Sequence, residues 1–265
     1  MIRVCLAGAT GWVGRALVAA IETTPDLSLA AAVSRSAAGR RLDEVLPAPA
    51  PPVRVAGTVE EALATPCDVL VDFTTASVVR EHVLAGLARG VHVVVGTSGL
   101  AEDDFAAIDA AARAAGVGVL AVGNFALTAV LLERFAAVAA RHVGSWEIVE
   151  YGVPRKPDAP SGTARQLAAR LATVRRPALG HPLEETRGAR EARGATVEAT
   201  QVHSVRLPGF VSSIEILFGL PDERLTIRHD SGSGAAPYVA GTLLAVRKVG
   251  DRVGLRRGLD AILDS

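Results

Sequence analysis

The chain has 265 residues, 49% of them hydrophobic, and is long enough to bury a large core in one domain or two. Its 28 basic residues balance 28 acidic ones, and no long run of one sign occurs, which argues against nucleic-acid and membrane-surface partners. No apolar stretch reaches membrane-spanning length and no segment is typical of a signal peptide, so we expect a cytoplasmic protein.

The chain begins with a pattern of buried strand, glycine-rich loop and helix. The apolar segment Ile2–Ala7 runs into Gly8-Ala9-Thr10-Gly11-Trp12-Val13-Gly14, and residues 15–22 then have helical periodicity. Glycines in such a loop allow a tight turn and bring the backbone close to a pyrophosphate at the helix N-terminus. We therefore predict a dinucleotide-binding loop. Its predicted contact residues are Gly8, Thr10, Gly11, Trp12, Val13 and Gly14.

The end of the second predicted strand, Leu27–Val33, indicates which dinucleotide binds. It is followed by Ser34, Arg35 and Ser36, and Ser34 stands 20 positions after Gly14 (34 − 14). NAD-binding sites place an acidic residue near that position, on the ribose 2′-hydroxyl. Here the acid is absent, and an arginine between two serines offers a charge and two hydroxyls to a 2′-phosphate. The pattern favours NADPH, with NADH as a tolerated alternative; a solvated loop arginine is the competing interpretation.

Strands alternate with helices through the rest of the first half. Strands are predicted at 69–73, 91–95 and 117–122, and helices at 76–89 and 101–115. This alternation indicates an α/β fold with a doubly wound parallel sheet of the Rossmann type. Ligands of such sheets lie outside the carboxyl ends of the strands. The residues predicted to line a cofactor crevice there are Phe73, Thr74, Gly96, Thr97, Asn124 and Phe125.

The pattern changes after Asn124. A helix is predicted at 127–140, strands follow at 147–150, 197–206, 212–218 and 224–228, and a helix over Ala236–Lys248 closes the chain. Long strands with few helices indicate an α+β domain with a sheet face available to another subunit. We expect a dinucleotide-binding domain at 1–123 and a substrate-binding and oligomerisation domain at 124–235. The C-terminal helix segment, 236–265, is expected to pack back on the first domain.

Residues 156–164, here called the anion loop, have the composition of an anion site. Two prolines stiffen the loop, and Ser161 and Gly162 precede a predicted helix at 164–173, where backbone N–H groups are free to meet an anion. Lys156 adds a positive charge. The residues predicted to bind a small carboxylate or phosphate are Lys156, Ser161, Gly162 and Thr163. A proline-stiffened turn with a solvated lysine is the alternative.

Six motifs follow one another in an order that resembles a known family. They are the glycine loop, Asp72-Phe73-Thr74, Gly96-Thr97-Ser98-Gly99, Asn124-Phe125-Ala126, the anion loop and His203-Ser204-Val205-Arg206. Together they resemble the dihydrodipicolinate reductases, the 4-hydroxy-tetrahydrodipicolinate reductases of lysine and diaminopimelate biosynthesis. The resemblance spans essentially the whole chain. It implies a Rossmann domain, a substrate and oligomerisation domain, a homotetramer (or homodimer), and hydride transfer from NAD(P)H to a cyclic imino-dicarboxylate held by the anion loop.

The segment before Lys156 departs from that family. The resemblance leads us to expect two adjacent histidines, a proton donor and a substrate contact, where this chain has Gly152 and Val153. Loss of a positioned general acid typically lowers the rate by about 10²–10⁴. Three explanations remain: another group, Tyr151 or Lys156, donates the proton; the substrate needs no proton from the protein; or the chain is a slow or inactive relative that still binds.

We favour the second explanation. Hydride delivered to the carbon of a protonated iminium gives an amine directly, whereas conjugate reduction leaves an enamine to be protonated. The hypothesis is an NADPH-dependent oxidoreductase acting on the C=N bond, or a conjugated C=C bond, of a cyclic imine carboxylate that differs from 4-hydroxy-tetrahydrodipicolinate. Lys156 and Tyr151 are the candidate catalytic residues. The authentic enzyme with a substitute donor and a non-catalytic nucleotide-binding relative are the alternatives. No metal site is predicted, because Cys5 and Cys67 follow no metal-binding spacing.

Overall fold

The computed structural model of the protein describes residues 1–263. Its chain divides into two units, one of Met1–Leu127 together with Ala235–Ser265 and one of Thr128–Gly234. These boundaries lie a few residues from the expected ones, after 123 and 235. Among the described residues, none of the helices combines the length and apolar character that crossing a membrane requires.

The helices and strands alternate in the first unit and separate in the second. The strands are β1 Ile2–Ala7, β2 Leu27–Val33, β3 Val55–Ala56, β4 Val69–Asp72, β5 His92–Val95, β6 Gly118–Ala121, β7 Trp146–Gly152, β8 Ala195–Val197, β9 Thr200–Arg206, β10 Ser212–Leu220, β11 Glu223–Ser231 and β12 Gly254–Arg257. The α-helices are α1 Trp12–Glu22, α2 Leu42–Val45, α3 Val59–Ala62, α4 Val79–Leu87, α5 Glu102–Ala115, α6 Leu127–His142, α7 Gly162–Ala172 and α8 Ala236–Lys248.

The first unit contains a parallel sheet with strand order β12-β6-β5-β4-β1-β2-β3. Its strands are nearly continuous apolar runs, and Val4, Cys5 and Leu6 are wholly buried, as expected for a parallel sheet covered on both faces. The order β3-β2-β1-β4-β5-β6 is that of the dinucleotide-binding fold, with its switch point between β1 and β4. The predicted doubly wound sheet is confirmed.

The second unit contains a mixed sheet with strand order β11-β10-β7-β9-β8. Only β7 and β9 pair in parallel among these strands; the other neighbours are antiparallel. Ile148 of β7 and Ile216 of β10 pack in one core with Leu132 of α6 and Leu167 of α7. Burial alternates along β7, so that Trp146, Ile148, Glu150 and Gly152 are buried and the residues between them are partly exposed. The predicted α+β domain is confirmed.

One predicted strand is in fact a hairpin. Residues 197–206 were expected to be continuous, but β8 ends at Val197 and β9 begins at Thr200 as its antiparallel partner. Glu198 and Ala199 have φ values of 49° and 68°, the left-handed conformation that closes tight two-residue hairpins. Because neither residue type is common in such turns, the sequence carried no signal for it.

The C-terminal helix has the predicted bounds Ala236–Lys248, and the described remainder of the segment 236–265 does not continue it. It ends at Lys248, and β12 then joins the parallel sheet beside β6. Gly254 has a φ of 93°, a conformation that does not continue a right-handed helix. The last two predicted positions, Asp264 and Ser265, lie outside the described residues.

His92, at the start of β5, gives the first unit a pH dependence. Its Nδ1 accepts a hydrogen bond from the backbone N–H of Gly118 at 2.9 Å, which requires the neutral imidazole. Burial lowers the pKa of His92 below its usual 6.5, against an opposing effect of Asp68. The unfolded chain therefore binds the proton more readily, so the contribution of His92 to stability is complete above pH 6.5 and is lost as the pH falls through the folded-state pKa.

We expect His92→Asn to reduce the pH dependence of the free energy of unfolding in this range. The asparagine amide oxygen replaces Nδ1 as the acceptor and does not titrate. The free energy of unfolding, measured in urea between pH 7.5 and pH 5, should fall less for the variant than for the parent chain. Parallel profiles for the two proteins would show that His92 is not the titrating group.

Candidate active site

A cavity of about 820 Å³ opens at the carboxyl ends of β1, β2 and β4 in the first unit. Its lining includes Gly8 after β1, Ser34, Arg35 and Ser36 after β2, and Thr74 after β4. We call it the nucleotide cavity. The end of β1 and the start of β4's loop meet at the switch point of the sheet, where folds of this kind bind their ligands.

The glycines of the first loop are required by close backbone contacts. Gly8 has a φ of 86°, and a Cβ built there would lie 2.2 Å from the carbonyl oxygen of Phe73. A Cβ on Gly14 would lie 2.0 Å from the carbonyl oxygen of Gly8. The N-cap of α1, Gly11, has no capping side chain, so the first N–H groups of the helix are left for an anion.

The loop after β2 presents hydroxyl groups and a cation to the nucleotide cavity. Thr10 Oγ1 and Ser34 Oγ lie 2.6 Å apart, and Ser34 Oγ and Ser36 Oγ lie 3.2 Å apart. Arg35 is exposed, and its guanidinium has no hydrogen-bond or ion-pair partner within residues 1–263. These donors fit the 2′-phosphate of an NADP-type dinucleotide, for which a serine–arginine pair replaces the usual acid.

Asp72 at the end of β4 organises the neighbouring loops. It is wholly buried, and its Oδ1 accepts bonds from the hydroxyls of Thr74 at 2.8 Å and Thr97 at 2.6 Å. Its Oδ2 lies 2.7 Å from Nδ1 of His82. Burial opposes ionisation, but the bonds from His82, Thr97 and Thr74 hold the pKa of Asp72 below its usual value. Sequence reasoning missed this organising role; the only signal was an acid at the end of a buried strand.

A smaller cavity of about 350 Å³ adjoins these loops and is lined by Trp12, Val13, Phe73, Gly96 and Thr97, among others. A Cβ on Gly96 would lie 2.3 Å from the Phe73 ring, so only glycine leaves room for the ring at this position. Trp12 is 59% exposed and meets Tyr238 edge-on, with the ring centroids 5.5 Å apart. Trp12, Phe73 and Thr97, three of the predicted cofactor contacts, therefore line the same cavity.

For Asn124 and Phe125, the predicted cofactor contact stays a prediction. Neither belongs to the lining of these two cavities. Phe125 is 2% exposed and supports the ring of Phe73 from below, with centroids 5.3 Å apart. Asn124 Oδ1 accepts a bond from the N–H of Ala126 at 2.9 Å. Phe125 is therefore a buried ring that packs against Phe73.

In the second unit the anion loop leads into α7. The Oγ of Ser161 caps the helix by accepting a bond from the N–H of Ala164 at 3.3 Å. The N–H groups of Gly162 and Thr163 have no acceptor among the described residues. The Nζ of Lys156 lies 4.0 Å from Oδ2 of Asp158, with the lysine side chain 27% exposed. Two free amides, a threonine hydroxyl and an ammonium group can therefore bind a carboxylate.

The strand beside the loop has no imidazole, and other side chains occupy the space. A Cβ on Gly152 would lie 3.2 Å from Cδ of Lys156 and 3.5 Å from Nη1 of Arg206. Arg206 in turn forms an ion pair of 2.6 Å with Glu150, which is 2% exposed. Arg206 was predicted only as part of the motif His203-Ser204-Val205-Arg206 and without a role of its own, because this contact depends on the pairing of β7 with β9.

Tyr151 does not reach the anion loop. Side chains alternate along β7, and Tyr151 lies on the partly exposed face, opposite to that of Glu150 and Gly152. Its hydroxyl donates to Glu215, its ring stacks on Phe210 with centroids 4.8 Å apart, and the hydrogen bond to Glu215 raises its pKa. The structure therefore does not place Tyr151 where it could donate a proton to a substrate in the loop.

The described residues contain no cluster of histidine, cysteine, aspartate and glutamate side chains that could hold a metal ion. Cys5 is a buried free thiol, and Cys67 is a partly buried one.

Comparison with known proteins identifies relatives over the whole chain. The family models for the dihydrodipicolinate reductase N-terminus and C-terminus match residues 2–125 and 128–263. The 4-hydroxy-tetrahydrodipicolinate reductases of Beutenbergia cavernae and Cutibacterium acnes are 41% and 40% identical, each with 99% of both chains covered.

Solved structures also match. The dipicolinate-bound dihydrodipicolinate reductase from Paenisporosarcina sp. TG-14 superposes with a TM-score of 0.90 and 34% identity, covering 99% of this chain and 100% of that one. The amine dehydrogenase of Mycobacterium smegmatis, with a TM-score of 0.62 and 14% identity over 96% of this chain and 94% of that one, shares only the fold.

Proposed function

This chain belongs to the dihydrodipicolinate reductase family, and from that premise we propose that it transfers a hydride from NADPH to a cyclic imine that carries a carboxylate. The dinucleotide, when bound, supplies the hydride. The first unit provides the glycine loop, the hydroxyl groups and Arg35 for the cofactor. The second provides Lys156 and the free amides of Gly162 and Thr163 for the substrate carboxylate.

One observation carries the substrate assignment: the anion loop is complete, yet the strand beside it offers no proton donor. Gly152 and Val153 have no acidic group, and Glu150, the carboxyl group on the same face of β7 as Gly152, has a pKa below its usual value. Although burial opposes ionisation, hydrogen bonds from Arg206, Ser204 and Ser161 outweigh it. A reaction that needs no proton from the protein fits this site best. Hydride added to the carbon of a protonated iminium yields the amine in one step and consumes no further proton.

The relatives favour a second candidate. Curated proteins that are about two-fifths identical along the whole chain are named 4-hydroxy-tetrahydrodipicolinate reductases, so the same reduction here, with water or Lys156 as the proton source, is the alternative. NADPH oxidation separates the two. We expect faster turnover of simple cyclic imines without a 4-hydroxyl group, such as 1-piperideine-2-carboxylate and 1-pyrroline-2-carboxylate, than of 4-hydroxy-tetrahydrodipicolinate. Turnover of the latter alone would establish the second candidate.

Arg35 is expected to set the cofactor preference. Arg35→Ala should raise the Kd for NADPH about 10- to 100-fold, because a charge-assisted contact with the 2′-phosphate is lost. The Kd for NADH, which has no such phosphate, should change less than about twofold. Fluorescence titration with both nucleotides measures this, and Arg40→Ala, an exposed arginine outside the cavity lining, is the control. An equal rise in Kd for both nucleotides would show that Arg35 does not contact the 2′-phosphate.

We also propose that the protein acts in the cytoplasm as a homotetramer or homodimer. The partly exposed face of the second sheet carries Val149, Leu217 and Tyr151 beside charged groups, a mixture that suits contact with another subunit. Light scattering after size-exclusion chromatography would test the assembly. A monomer at micromolar concentration would contradict it.

A further inference from the structure

Arg206 joins the anion loop to the strand beside it. It ends β9 directly opposite Gly152 of β7. Its Nη2 donates to Oε1 of Glu150 at 2.6 Å and also to the backbone carbonyl oxygen of Asp158 at 2.6 Å. Asp158 lies within the anion loop, so one nitrogen of the guanidinium bridges the sheet and the loop.

Glu150 extends the same network to the start of α7. Its Oε1 accepts a bond from the hydroxyl of Ser204 at 2.7 Å and from the backbone N–H of Ser161 at 3.1 Å, besides the one from Arg206. The carboxylate is 2% exposed, so these donors must replace its lost hydration. Ser161 is the residue whose hydroxyl caps α7. The carboxylate therefore holds the loop at its end while Arg206 holds it at its middle.

The two cationic side chains near Gly152, Arg206 and Lys156, differ in exposure and in how closely each is paired with a carboxylate. The guanidinium of Arg206 is 15% exposed and is neutralised by Glu150. The Nζ of Lys156 lies 4.0 Å from Oδ2 of Asp158, and both of these side chains are partly exposed. The Nε of Arg206 is buried without a partner among the described residues, a cost that the fold bears for this orientation. Arg206 is thus committed to the protein, and Lys156 is left for a ligand.

We propose that Arg206 and Glu150 form a positioning clamp that holds the anion loop in its carboxylate-binding conformation. This inference rests on the proposed function, because it concerns the same loop. Lys156 and the amides of α7 contact the substrate, while Arg206 acts through the carbonyl group of Asp158 and through Glu150. A clamp of this kind lowers the ordering entropy that binding must otherwise overcome, so its loss weakens substrate affinity more than it slows hydride transfer.

Arg206→Gln tests the clamp, with Arg206→Lys as the conservative variant. Calorimetric Kd values for dipicolinate and picolinate should rise about 10- to 100-fold in Arg206→Gln. With the imine that the parent chain reduces best, KM should rise by a similar factor, while kcat and the Kd for NADPH stay within about threefold. Arg206→Lys should be intermediate, because an ammonium group can reach one of the two acceptors. If the glutamine variant does not fold, the lysine variant decides.

Arg193→Gln is the matched control. Arg193 pairs with Glu147 at 2.9 Å on the opposite face of the same sheet, and its loss should leave both acids bound as before. Unchanged acid affinity in the Arg206 variants would overturn the clamp, as would a fall in kcat at unchanged KM. If the parent chain bound neither acid, the loop would not be a carboxylate site, and the proposed function would fail together with the clamp.

Discussion

Replacing Lys156 by methionine is expected to lower kcat/KM for the imine substrate about 10- to 100-fold, because a charge-assisted contact with the substrate carboxylate is lost. Methionine keeps the unbranched stem that lies against Gly152 and removes the ammonium group. The carboxylate of Asp158, 4.0 Å from that group in the parent chain, would then repel an anionic substrate. The loss should fall mainly on KM, since the carboxylate is bound in the ground state as well.

Steady-state kinetics on Lys156→Met and Arg155→Met make the comparison. Arg155 is exposed in the preceding turn. Its replacement by methionine removes an equal charge one position away from Lys156. The Kd for NADPH should stay the same in both variants, because the change is confined to the second unit. A loss below about threefold in Lys156→Met would mean that the lysine is a solvated residue of an ordinary turn.

Gly8→Ala is expected to raise the Kd for NADPH more than about 100-fold. The new Cβ would meet the carbonyl oxygen of Phe73 at 2.2 Å, and the residue would keep a φ of 86°. Relief requires the loop to move away from the end of β4, which displaces the amides that should receive the pyrophosphate. Both the fold of the loop and its anion site are therefore affected by one methyl group.

Gly90→Ala is the control that separates the effect of backbone strain from that of the steric clash at Gly8. Gly90 also has a positive φ, 69°, but a Cβ there has no heavy atom within 4 Å. It should lose only about 1 kcal/mol of stability, the cost of a left-handed backbone for alanine, and bind NADPH normally. Fluorescence titration and thermal unfolding of both variants measure the difference. NADPH binding by Gly8→Ala within about threefold of the parent would exclude the glycine loop as the phosphate site.

Features that depend on local sequence could be predicted. The strands Ile2–Ala7 and Leu27–Val33 and the helix Ala236–Lys248 have the predicted bounds, because apolar runs and helical periodicity act within a few residues. The glycine loop and the anion loop could also be recognised, since each brings its glycines, prolines and hydroxyls in one short segment.

Features that depend on strand pairing could not be predicted. The position of Tyr151 on the far face of the sheet follows from the phase of β7, and a shift of one residue would reverse it. In β7 the charged Glu150 is buried and the apolar Val149 is partly exposed, so the sequence does not indicate which face of the strand is buried. The contact of Arg206 with Glu150 joins residues 56 positions apart, and only the register of β9 against β7 creates it.

The ring position that receives the hydride distinguishes direct reduction of the C=N bond from conjugate reduction. NADPH carrying deuterium at both C4 positions of the nicotinamide would be oxidised with the preferred imine and, separately, with 4-hydroxy-tetrahydrodipicolinate. Loss of water from the latter creates the conjugated C=C bond that conjugate reduction needs. Each product would be examined by NMR. Direct reduction of the C=N bond predicts deuterium on the ring carbon bonded to nitrogen. Deuterium on a carbon further from the nitrogen would show conjugate reduction, which needs a later proton, and would contradict a site built to work without a protein proton donor.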